Sequence, residues 1–228
     1  MKEALHAEWT KLRTVTAPLL LLLGTIAATV SLSAGATSLA TCTTRACGGD
    51  PAKLSLTGVH LGQALVAVLA VLTISGEYGT GMIRTTLTAI PRRFTALAAK
   101  AITLTGAVTV AGTIAVLGSL LAGRLILPAL PLANGPTLRA SVDSIVYLAL
   151  IALLSLGVAT VLRDSATSIG IVLGLLYLFP LLAQVVADPQ WQRLLQRIGP
   201  TSAGLDVTAG WAAATVLLGA LLLHLRDA

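Results

Sequence analysis

Ser75-Gly76-Glu77-Tyr78-Gly79-Thr80-Gly81-Met82-Ile83-Arg84-Thr85-Thr86-Leu87, continuing to Pro91-Arg92-Arg93, is a charged break between two long apolar runs, Leu56 to Ile74 and Ala96 to Leu121. A helix rises about 1.5 Å per residue and the hydrocarbon core of a bilayer is about 30 Å thick, so roughly 20 apolar residues span it. Both runs come to about that length. Charge concentrated between them must therefore answer to something outside the lipid.

The rest of the chain repeats the pattern. Further apolar runs cover Ala17 to about Ser33, Ile145 to Leu162, Ile169 to Val186 and Val207 to Leu225. Over 228 residues, 56% are hydrophobic and only 11% charged, where a soluble domain carries about 25% charged residues. Mean hydropathy is +0.91. Strands of a membrane barrel would alternate with period two, and these runs do not. The expected fold is all-α: a polytopic membrane protein with six transmembrane helices in a single domain, residues 1–228.

Between the runs lie polar connections. Residues 1–14 read as an amphipathic interfacial helix, with Leu5, Trp9 and Leu12 at helical spacing among charged residues and Trp9, Lys11 and Arg13 suited to the headgroup level. This patterned, partly acidic start argues against a cleaved leader ending at Ser33-Ala34-Gly35-Ala36. A polar loop runs on to about Leu54, and a Pro- and Gly-rich loop covers Leu127 to Thr137. Residues 189–199 read as a second interfacial helix, with Trp191, Leu194, Leu195 and Ile198 on one face. Lys100, near the start of the third run, is expected to snorkel to the interface. Gly58-x-x-x-Gly62 and Gly170-x-x-x-Gly174 have the spacing of close helix packing.

Six spans put both ends of the chain on one side. The net charge of +6 falls more heavily on the side holding Lys2, Lys11, Arg13, Arg84, Arg92, Arg93, Lys100, Arg163 and Arg226. By the positive-inside bias, that side and both termini are expected to be cytoplasmic. The cysteine loop and the 189–199 helix then face outside. The basic residues are scattered and lack interleaved aromatics, which speaks against a nucleic-acid partner. The lipid bilayer is the partner that this charge suits.

Several chemistries are missing. There is no Gly-x-x-x-x-Gly-Lys-Ser/Thr phosphate loop, no His-Glu-x-x-His metal motif and no Gly-x-Ser-x-Gly elbow. His6, His60 and His224 are far apart, so no metal or other cofactor is expected. The span centres lack Asp, Glu, Lys and Arg, which removes the groups an ion-coupled carrier or an intramembrane enzyme would use. His60 and Gln63, one turn apart on the second run, are the most polar groups near a pathway. They read either as a substrate contact or gate, or as an interhelical hydrogen bond. Cys42 and Cys47 read either as a disulfide across an exterior loop or as two free thiols.

With those residues in view, Glu77-Tyr78, Gly81, Ile83-Arg84, Thr86-Leu87, Pro91-Arg92-Arg93 and Ala99-Lys100 resemble bacterial ABC-2 type transporter permeases, particularly those of actinobacteria. Glu8-Trp9-Thr10-Lys11-Leu12-Arg13 is similar to that family's first helix, and Met82 departs from its usual Thr. The resemblance covers essentially the whole chain. It implies the membrane subunit of an ATP-driven exporter, without catalysis of its own. Residues 76–93 would be the cytoplasmic coupling segment, with Glu77, Tyr78, Gly81, Ile83, Arg84, Thr86, Leu87, Arg92 and Arg93 contacting a separate ATPase subunit. A second permease chain, identical or related, would complete the path. Glu77 and Arg84 are seven residues apart, two helical turns, so they share a face on which each suits an opposite charge. The alternatives are a non-transporting scaffold or immunity protein, and an intramembrane enzyme.

Overall fold

In the computed structural model the described residues are 2–41, 56–79, 93–126, 135–185, 188–200 and 204–226. They form α1 (Lys2–Thr14), α2 (Thr16–Thr41), α3 (Val59–Gly79), α4 (Arg93–Ile126) and α5 (Gly135–Leu162), then α6 (Ser165–Leu173), a π turn (Gly174–Leu178), α7 (Phe179–Val185), α8 (Pro189–Ile198) and α9 (Leu205–Arg226). Six helices are long and apolar enough to cross a membrane, α6 to α7 counting as one. No strand occurs among the described residues. The protein is an all-α, multi-pass membrane protein.

Helix boundaries run past the apolar runs. α2 continues eight residues beyond Ser33 to Thr41, taking in Ala34 to Ala40, which the polar loop had been expected to hold. α5 begins at Gly135 with Pro136 in its first turn, inside the expected 127–137 loop; proline suits that place because the first-turn N–H groups have no intrahelical partner. α4 has 34 residues and α5 has 28, both more than a bilayer core needs, so their ends reach the headgroups or beyond.

α2 shows what sorts inside from outside. Thr25, Thr29, Ser33 and Thr37, spaced four apart, are fully buried, while Leu19, Leu20, Leu23, Leu32 and Leu39 are exposed. Lipid tails are as apolar as leucine, so leucine gains little by turning inward, and small side chains let backbones approach. The buried stripe packs on α3 at Gly58 and Gly62. A Cβ on Gly58 would lie 2.0 Å from the Thr29 carbonyl oxygen, and one on Gly62 would lie 2.4 Å from Thr29 Oγ1. The Gly58 amide also donates to Ser33 Oγ at 3.1 Å. The second glycine pair differs, because no described neighbouring residue lies within 4 Å of a Cβ on Gly170 or Gly174. The close packing expected there is made instead by α5 on α9, where a Cβ on Gly157 would meet the Thr215 backbone at 2.6 Å.

α5 is the hub, touching α3, α4, α6 and α9. Its Leu148, Ile151, Leu154 and Leu156 are completely buried. The fifth span is broken in a definite way. Asp164 caps α6 by accepting from the Thr167 amide at 2.8 Å. Farther along, Pro180 has no N–H to give and would crowd the carbonyl four residues back, at Leu176. The chain widens there into the π turn, in which the Phe179 amide reaches back to the Gly174 carbonyl.

The two glycine pairs make contrasting predictions. Gly58→Ala forces a methyl against backbone and is expected to cost about 1–3 kcal/mol, read as a lower midpoint of thermal unfolding in detergent. Gly170→Ala meets open space and removes a poor helix former, so stability is expected to stay level or rise by up to about 1 kcal/mol.

Candidate functional site

Four of the chain's charges meet at one end of the bundle. α1 lies against the start of α4 and the start of α2, and the face it turns inward carries Ala4, Glu8 and Lys11. Ala4 is buried and Glu8 half-buried, whereas Trp9 is exposed and Leu5 and Leu12 are half-buried. α1 thus docks through a face that carries charge as well as apolar side chains, Leu12 among them, and Trp9 is left to the surroundings. Arg13 is exposed as well.

Glu77, in the last turn of α3, and Lys100, the eighth residue of α4, meet that face. Lys100 Nζ donates to Glu77 Oε1 at 2.8 Å, to Glu8 Oε2 at 2.9 Å and to the Thr73 carbonyl at 3.3 Å. Its three protons are thereby used. Lys11 Nζ donates to Glu77 Oε1 at 2.8 Å and to Glu8 Oε1 at 3.3 Å. Two carboxylates and two ammonium groups cancel in charge.

Lys100 and Glu77 are each only 5% exposed, which corrects the expectation that Lys100 snorkels. It lies about 10 Å along α4 from the helix start, near enough to the interface to be reached by α1, and it turns inward because two carboxylates wait there. Glu77 had been read as offering its charge to a partner; its Oε1 is instead shared between two lysines of its own chain. Its Oε2 has no hydrogen-bond partner among the described residues. Beside the four charges is a cavity of about 230 Å³, walled by Leu12, Val15, Pro18 and Leu72.

Two further contacts belong to this end. The Arg163 guanidinium sits 5.3 Å from the centre of the Tyr78 ring, a cation–π distance. Arg163 has a positive φ of 60°, a left-handed turn between α5 and α6 that brings its side chain back over α3. The ends of α3 and α5 and the starts of α2, α4 and α6 thus share one face, with α1 across it.

Burial by itself would push the Lys11 ammonium down, but hydrogen bonds and charges from Glu77 and Glu8 override it and hold Lys11 above its ordinary value of 10.5. The Asp164 carboxyl is lowered, chiefly by the Thr167 hydroxyl and then by the Thr167 amide.

The remaining expected site residues are placed as follows. Gly81, Ile83, Arg84, Thr86, Leu87 and Arg92 lie outside the described residues, as does the Arg93 side chain; so do Cys42 and Cys47 with the disulfide reading. Trp191 on α8 is exposed beside Leu194 and Ile198. α8 is capped by Asp188, which accepts from the Gln190 amide at 2.9 Å, and is tied to α9 by Trp211 Nε1, which donates to the Ile198 carbonyl at 2.9 Å.

At the opposite face, His60 and Gln63 have separate surroundings. Gln63 is buried, and its Oε1 accepts from the Tyr147 hydroxyl at 2.5 Å, an interhelical bond between α3 and α5. The His60 side chain is exposed, while its backbone carbonyl accepts from the Tyr177 hydroxyl in the π turn. His60 lines an open cavity of about 570 Å³ together with Leu56, Asp143, Ser144, Tyr147 and Thr208.

Sequence reasoning missed Glu8 as a charge partner and missed that Lys11, Glu77 and Lys100 meet. One signal was present: the chain has only nine acidic residues, and Glu8 and Glu77 are the two that flank the first and second spans on the side rich in Lys and Arg. Spacing along the chain could not pair residues 66 and 92 apart, as Lys11–Glu77 and Glu8–Lys100 are. No protein-family model matches the chain, and no curated protein matches it.

Two outcomes test the cluster. Lys100→Met leaves two carboxylates facing a single lysine in a buried site, and is expected to cost about 3–5 kcal/mol in detergent unfolding. Pairing it with Glu77→Leu, which restores neutrality, should recover most of that loss. The second test is alkaline. A raised native value means the Lys11 contribution is complete below 10.5 and fades as pH climbs through the native value. The stability difference between the natural chain and Lys11→Met should therefore shrink towards zero over that rise.

Proposed function

We propose that this chain is the transmembrane subunit of an ATP-driven exporter, coupled to a separate ATPase subunit, with its charged face in the cytoplasm. The observation that carries the proposal is the Glu8–Lys11–Glu77–Lys100 cluster. Glu77 and Lys100 stand on the two helices that flank residues 80–92, and α1 is pinned across them by both. A push delivered to the 80–92 segment would move α1, α3 and α4 together, because separating them would leave the buried Glu77 and Lys100 unpaired. That is what a coupling device needs: a stiff link from a docking segment to the spans that frame a path.

The residue pattern from Glu77 to Lys100 and the lack of a phosphate-binding loop in this chain fit the same reading. In it, Arg84, Arg92 and Arg93 are the charges left for the ATPase or for inner-leaflet phosphates, since Glu77 is engaged within the chain. A second permease chain would complete the path, and the excess of Lys and Arg on the cluster side sets that side inward.

The test is purification of the tagged chain from its native membrane in mild detergent, followed by mass spectrometry. A partner with a phosphate loop, near equal stoichiometry, is expected, and Arg84→Ala is expected to weaken its retention while the chain stays folded. Arg84 is the suitable variant, because Glu77→Ala would also dismantle the ion cluster. A chain that emerges alone from several detergents overturns the proposal and favours a scaffold.

A further inference from the structure

The 570 Å³ cavity at the His60 face has a size common for small-molecule sites. Four hydroxyl residues line it, Thr57, Ser144, Tyr147 and Thr208, and the last three have already spent their protons inside the protein. Ser144 Oγ donates to the Ala140 carbonyl at 2.8 Å, Tyr147 to Gln63 Oε1 at 2.5 Å, and Thr208 Oγ1 to the Pro200 carbonyl at 2.5 Å. A hydroxyl has one proton and two lone pairs, so to the cavity these groups offer acceptors. The His60 imidazole adds an acceptor nitrogen and one N–H donor in its neutral form.

Among the described residues Asp143 supplies the only formal negative charge on the wall. It makes no ion pair with another described residue. Two opposing effects have to be weighed. Arg139 stands one turn before Asp143 on α5, outside ion-pair distance and off the cavity wall. The first turn of α9 opens at Gly204 and Leu205, on the cavity wall, and a helix N-terminus carries about half a positive charge. Asp206 sits in that same first turn and offsets it. The balance is negative and rich in acceptors, and Leu56, Val59, Ala140 and Leu205 supply the apolar side of the wall.

We propose that this cavity binds a cationic amphiphile, a primary ammonium group joined to an apolar body. The ammonium brings three donors and a positive charge to Asp143 and the surrounding lone pairs, and the apolar body covers the leucine and valine side. An anionic amphiphile of equal length is repelled by the Asp143 carboxylate and finds no side-chain donor in Ser144, Tyr147 or Thr208. The site is defined by binding, whether or not the chain moves its ligand.

The experiment uses the full chain in lipid nanodiscs, with dansylcadaverine as a fluorescent primary amine and empty nanodiscs as the blank. Saturable binding above the blank is expected, displaced by dodecylammonium and not by dodecanoate. Asp143→Asn should weaken it about ten- to a hundredfold, the worth of a hydrogen bond to a charged group, and Ser144→Phe should block it by filling the cavity. Binding no stronger than the blank, equal displacement by dodecanoate, or unchanged affinity in Asp143→Asn overturns the proposal. Should Asp143→Asn fail to fold, the contrast between the two competitors on the natural chain decides alone.

Discussion

A bilayer rewards leucine equally well on either side of a helix, and this constraint governs how the chain packs. Burial cannot be driven by apolar surface alone, so contacts form where backbones can come close and where polar groups need one another. Thr25, Thr29, Ser33 and Thr37 are buried while the leucines of α2 face outward. Glycine at 58 and 62 lets α3 close onto that stripe, and glycine at 157 does the same for α5 on α9. A soluble helix of the same composition would be expected to pack the other way round.

The charge cluster follows from the same constraint, applied to stronger groups. An ionised side chain near the hydrocarbon is tolerated when it is paired and its hydrogen bonds are met. Lys100 meets all three of its donors within reach of α1, α3 and the Thr73 carbonyl. The network contributes less to net stability than its count of contacts suggests, because desolvation opposes it. Its larger consequence is mechanical: the interfacial helix and two spans cannot part without exposing charge. The proposed coupling function rests on that stiffness.

At the opposite face, polar groups are arranged to leave something over. Gln63 is buried and bonded to Tyr147, whereas Asp143 and His60 remain exposed on a cavity wall. The π turn stands next to this region, and Tyr177 within it reaches the His60 carbonyl. Pro180 explains why the turn widens there. Its position ties the path of the fifth span to the shape of the cavity.

The amino-acid sequence alone determined the class of fold, the number of spans and the two short helices at Lys2–Thr14 and Pro189–Ile198, because run length and charge density are local quantities that a bilayer reads directly. It also showed Gly58 and Gly62 as a packing face, but gave Gly170 and Gly174 the same standing, since spacing says nothing about what lies opposite. Helix ends at Thr41 and Gly135 ran past the apolar runs because polar residues remain helical outside the lipid. Which charges meet was decided only by tertiary structure. Glu77 looked available along the chain, and became engaged once α1 folded across α3 and α4 and brought Lys11 and Lys100 to one oxygen. Pairing across such separations depends on how helices pack, and packing in lipid depends on small residues whose partners no local pattern identifies.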